Sequence, residues 1–142
     1  MKLEQTVLIE RPVPRVFAFR SALDNAPTWR HDVRATTLAT PGPTQMGTRC
    51  TELRQRPNGT TEEWQLEVTE FEVDHVLRLA TSCGDLAIDE RHCFSVDQGC
   101  TRYTLHVEVI AGQIVPVGLQ KRMVEAMLSL KWLLEGRGLG YF

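Results

Sequence analysis

The chain has 142 residues, 42% of them hydrophobic and 24% charged, with a formal net charge of −2. That is ordinary for one globular domain with a real core. It excludes the basic footprint of a nucleic-acid binder, and no run of about 18 apolar residues offers a transmembrane helix. Taken in chain order, Lys2 to Glu10 alternates, with Leu3, Gln5, Val7 and Ile9 on the better-buried side, and predicts a strand. Pro12 and Pro14 end it and suit the first turn of a helix over Val13–Leu23, where Val16, Phe17, Phe19 and Leu23 form an apolar stripe. Asp24 or Asn25 is placed to cap a second short turn leading to Trp29.

From Val33 the period switches to two. Strands are predicted over 33–40, 47–56, 61–71, 76–82, 86–96 and 101–110. Asn58-Gly59, offering positive φ, marks a hairpin turn, and Asp97-Gln98-Gly99 marks the last one. The connections are too short for crossovers, so the strands pair antiparallel. The end is helical: Leu119, Met123, Ala126, Met127, Leu130, Leu133 and Leu134 share a broad stripe, and Gly136 sits where a C-terminal cap belongs. The sum is an α+β domain over 1–142, with one long helix against a curved antiparallel sheet of about seven strands. One helix cannot fill such a concavity, and the space left is a pocket for small apolar ligands.

Strand parity nominates the lining. Leu86, Ile88, Glu90, His92, Phe94 and Val96 share one face, as do Tyr103, Leu105, Val107 and Val109. In the hairpin the inward set is read as Trp64, Leu66 and Val68, together with Arg49, Thr51 and Leu53 on the same face. Trp29, Leu119, Met123, Met127 and Leu130 complete the expected ligand-binding set. Glu90 and His92 lie two apart, roughly 6–7 Å along the strand. With Tyr103 they can orient a polar ligand head or act as acid and base on an enolisable ketone, or they can simply stand in water at the strand end. Arg30-His31-Asp32, directly after Trp29, reads as a solvated loop, because neighbouring strand residues point to opposite faces. Cys50, Cys83, Cys93 and Cys100 form no CxxC pair and no metal-ligand spacing, so no metal and no cofactor is expected. The opening residues carry no export signal, which predicts a cytoplasmic protein with reduced thiols.

Val124, Leu128 and Trp132 recur on the other side of the last helix. They predict a homodimer contact through that helix, or else cover by the tail that ends in Tyr141-Phe142.

The segment IERPVPRVFAFRSALDNAPTWRHDV (residues 9–33), followed by PGPTQMGTR (41–49), VTEFE (68–72) and GCTRYTLHVEV (99–109), resembles the START-like, Bet v 1-like superfamily. Its bacterial polyketide cyclase/dehydrase-type branch is the particular likeness. The resemblance spans essentially the whole chain and rests on the order and spacing of its motifs. It implies a helix-grip fold: a seven-stranded antiparallel sheet around the C-terminal helix, with a cavity between. It implies binding of a hydrophobic small molecule, and charge and hydropathy add the expectation of neither nucleic acid nor membrane insertion. It leaves open a cyclase or dehydratase acting in the same cavity, and an interaction module that binds a quinone or a protein. Arg20 departs from the pattern, since relatives carry an apolar residue there. It either snorkels to the surface or brings a charge near the cavity mouth.

Overall fold

The computed structural model describes residues 1–136; Tyr141 and Phe142, invoked above as tail cover, lie outside them. Strand β1 (Lys2–Ile9) leads to helix α1 (Val13–Ser21), a 3-10 turn (Leu23–Asn25) and helix α2 (Ala26–Trp29). Then come β2 (Val33–Leu38), β3 (Arg49–Gln55), β4 (Thr61–Glu72), β5 (Val76–Cys83), β6 (Leu86–Asp97), β7 (Cys100–Ala111) and α3 (Pro116–Leu134). One antiparallel sheet has the order β1-β7-β6-β5-β4-β3-β2, so only β1 and β7 join across a long connection. Bulges at 33/35, 68/70 and 87/88 bend the strands, and the curved sheet closes round α3.

Each element has a local cause. Pro12 and Pro14 open α1 without losing a helix hydrogen bond. The expected side-chain cap on α2 is absent: Asn25 Nδ2 instead donates to the Phe19 carbonyl at 3.2 Å, tying α2 back to α1. In the 57–59 turn only Gly59 takes positive φ, while Asn58 Oδ1 accepts the Thr60 amide at 3.0 Å. In the 97–100 turn both central residues, Gln98 (φ 51°) and Gly99 (φ 81°), are left-handed, as a two-residue hairpin of matching twist requires.

Leu119, Met123, Met127, Leu130 and Leu134 bury one stripe of α3. Its C-terminal end is pinned to β1: Lys131 Nζ donates to the Leu8 carbonyl at 2.6 Å, and the Glu10 amide donates to Glu135 Oε2 at 2.8 Å. Val124, Leu128 and Trp132 are half-buried and stand outside the core cluster. Among the described residues no helix is long and apolar enough to cross a membrane.

Candidate functional site

Between the sheet and α3 lies a cavity of about 880 Å³. Its apolar lining comes from Trp64 of β4, Ile88 of β6, Leu105 and Val107 of β7, and Leu119, Met123 and Met127 of α3. Set into this lining are Glu90, His92 and Tyr103, joined by Arg20 from α1, by Arg30 and Asp32 after α2, and by Arg54 of β3.

Glu90, His92 and Tyr103 converge inside the cavity instead of standing in water. His92 is 1% and Tyr103 1% exposed. His92 Nδ1 lies 2.6 Å from the Tyr103 hydroxyl, and His92 Nε2 lies 3.2 Å from Glu90 Oε1. The phenol is held from behind: Phe94 stacks on Tyr103 at 5.0 Å, and Phe17 meets Phe94 edge-on at 5.2 Å. Each such pair adds about 0.5–1.5 kcal/mol beyond burial. Burial, reinforced by the Arg20 charge, lowers the His92 pKa to about 4 despite Glu90, so the imidazole is neutral at pH 7. Burial pushes Glu90 upward, but the His92 hydrogen bond and the charges of Arg54 and Arg30 outweigh it and hold the carboxyl at about 2. Burial raises Tyr103, partly opposed by Arg20. The set is therefore a carboxylate, a neutral imidazole and a neutral phenol. Arg20 Nη2 also lies 3.2 Å from His92 Nε2. One ring nitrogen cannot donate to Glu90 and accept from Arg20 in the same neutral tautomer. The carboxylate makes the stronger, charge-assisted bond, so the proton is assigned to Nε2, and Nδ1 accepts from the Tyr103 hydroxyl.

Arg30 and Asp32 correct the reading of this segment as a solvated loop. Arg30 Nη2 donates to Asp32 Oδ2 at 2.9 Å, and Nη1 lies 3.6 Å from Glu52 Oε1. The two are separated by one residue and share a side, while His31 between them is exposed, though it borders the cavity. Trp29, 4% exposed, lines the cavity beneath two guanidiniums, Arg20 at 5.1 Å and Arg30 at 5.9 Å from its ring centre.

In β3 the expected parity is inverted. Cys50 pairs with Leu66 and Glu52 with Trp64, so Cys50, Glu52 and Arg54 face inward. Arg49 is exposed on the outer face, Thr51 donates to Gln65 there, and Leu53 is 37% exposed. The signal that finds the true face is the opposite charge at positions 52 and 54, two apart. Arg54 grips Glu52 through Nε at 2.9 Å and Nη2 at 2.8 Å, and stacks over Trp64 at 4.3 Å. A carboxylate 3% exposed is tolerable only with such partners.

Of the other nominated residues, Trp29, Trp64, Ile88, Leu119, Met123 and Met127 line the cavity. Leu66, Phe94 and Leu130 sit in the core cluster behind the lining. Arg20 neither snorkels nor stands at the surface: it is 6% exposed and borders the cavity. Burial, aided by Glu52, pushes the Cys50 thiol up to about 12, far from a nucleophile's range.

Solved structures share this architecture at low identity. A protein from Chromobacterium violaceum is 11% identical, covers 95% of this chain and 98% of its own, and superposes with a TM-score of 0.80. The Zhui aromatase/cyclase from Streptomyces sp. R1128 is 11% identical over 96% of this chain and 94% of its own, with a TM-score of 0.80. A START superfamily protein from Mycobacterium smegmatis is 14% identical over 96% and 95%, with a TM-score of 0.72. These likenesses show the fold alone. No curated protein matches in sequence. The family model described as polyketide cyclase / dehydrase and lipid transport matches residues 1–135, and the chain belongs to that family.

Proposed function

We propose that this protein binds a hydrophobic small molecule in the cavity between the curved sheet and α3. The observation that carries the reading is the cavity itself: about 880 Å³, in the size range of ligand sites, lined by two tryptophans and by aliphatic and methionine side chains. Met123 and Met127 are unbranched and adaptable, which suits a ligand of irregular shape. The family description and the shared fold support the same reading.

Titration with 1-pyrenebutanol tests it. Trp29 and Trp64 line the cavity, so their emission transfers to a pyrene bound there. The expected result is saturable one-to-one transfer, weakened at least tenfold by Met123→Glu, which sets a carboxylate in the apolar wall. Absence of binding, or binding indifferent to Met123→Glu, contradicts the proposal.

One observation favours a second reading, a cyclase- or dehydratase-type enzyme. The Glu90–His92–Tyr103 relay opens into the same cavity, and a neutral imidazole between a carboxylate and a phenol can move a proton to or from an enolisable ketone. Tyr103→Phe separates the two: binding survives, and turnover of a polyketone substrate is lost only if the relay acts.

A further inference from the structure

Five arginines border the cavity; Arg56 and Arg122 are exposed, and the three inner ones, Arg20, Arg30 and Arg54, are not equivalent. Arg54 is clamped by Glu52 through two nitrogens. Arg30 is held by Asp32 through two more and approaches Glu52 with a third. Arg20 has no such partner. Its Nη2 lies 3.2 Å from His92 Nε2, which as a donor to Glu90 cannot accept from it, it bonds the Tyr103 hydroxyl, and its buried Nε has no acceptor among the described residues. Its nearest polar neighbours, His92 and the Tyr103 hydroxyl, are neutral groups, and its other contact is the face of Trp29.

A guanidinium carries five N–H donors in a planar fork that fits two oxygens side by side. Burying one beside neutral groups is costly unless an acceptor completes it. The position is also specific. Arg20 comes from α1, opposite the sheet's inner face, and its cation stands between the indole of Trp29 and the imidazole of His92. An oxygen pair arriving from the cavity finds the fork presented, while the other two inner cations, Arg30 and Arg54, are already engaged.

We propose that Arg20 is the recognition group for an oxyanion on the bound hydrophobic ligand, a carboxylate or an equivalent delocalised enolate, so that the cavity selects amphipathic acids over neutral compounds of the same shape. This deepens the binding function proposed above and rests on it. The apolar lining takes the hydrocarbon or ring system. The acid head pairs with Arg20, and Trp29 beneath the guanidinium keeps the fork oriented.

The test compares two probes that share one skeleton, 1-pyrenebutyrate and 1-pyrenebutanol, at pH 7 on the full chain. Wild type is expected to bind the carboxylate about 10- to 100-fold more tightly than the alcohol. Arg20→Met is expected to erase that preference while leaving the alcohol's affinity within about threefold. Arg20→Lys, which keeps the charge without the fork, retains part of the preference and serves if the methionine variant fails to fold. Equal wild-type affinity for the two probes overturns the inference yet leaves hydrophobic binding standing. So does a preference that survives Arg20→Met, which would assign the head to another of the cavity's arginines. If neither probe binds wild type, the binding function itself falls, and this inference with it.

Discussion

His92 concentrates the chemistry of this fold in one ring. Its two nitrogens engage a phenol and a carboxylate, a guanidinium presses on one side, and the ring itself is shut from bulk solvent. Its pKa falls from 6.5 to about 4 on folding, so between those values the unfolded chain holds a proton that the folded chain refuses. Stability from this group is therefore complete above pH 6.5 and is lost as pH falls toward 4. Glu90 contributes in its own window, from its unfolded value of 4.5 down to about 2. Between pH 7 and pH 5 the histidine dominates, and we expect it alone to remove about 2 kcal/mol. Urea denaturation at the two pH values measures it. His92→Gln should flatten the difference by that amount. An unchanged pH dependence would mean that the ring is not held neutral by its surroundings.

At the scale of elements, the hairpin joining β6 and β7 sets the register that brings His92 beside Leu105 and Phe94 beside Tyr103. Its two turn residues must both be left-handed, and Gln98 accepts that conformation at φ 51° without glycine's freedom. Gln98→Gly should relieve the strain, offset in part by glycine's larger unfolded-state entropy, for a net gain of about 0.5–1 kcal/mol. Thermal unfolding should shift upward by roughly 2–4 °C. A downward shift would show that the entropy cost wins.

The elements were also the legible part of the sequence. β6 alternates cleanly from Ile88 to Phe94, and the α3 stripe repeats every three or four residues, so period alone located both. β3 failed for the opposite reason. Its inward face carries Glu52 and Arg54, which pair with each other in the interior, and a hydrophobic pattern assigns such residues to solvent. Arg30 and Asp32 failed likewise, since charged residues after a helix look solvated until their partners are known. The cavity's polar wall consists largely of charges that satisfy one another, and that satisfaction is a tertiary fact with no signature in a linear pattern. Arg20 stood out in sequence only as a departure, and its partners became visible only once α1 was laid over β6.

For the molecule as a whole, the family and the fold agree with each other, and the open question is what fills the space they enclose. A sheet of seven strands closed round one helix encloses more volume than its side chains occupy, and here the remainder is about 880 Å³. The account's central claim is that this space holds a hydrophobic ligand, and native mass spectrometry on gently purified protein tests it most directly. The claim predicts a species heavier than the 16.1 kDa chain by the mass of one small molecule, which denaturation releases and which proves to be an apolar compound. A chain that shows only its bare mass, and that takes up no one-to-one adduct when incubated with 1-pyrenebutyrate or 1-pyrenebutanol, would contradict it.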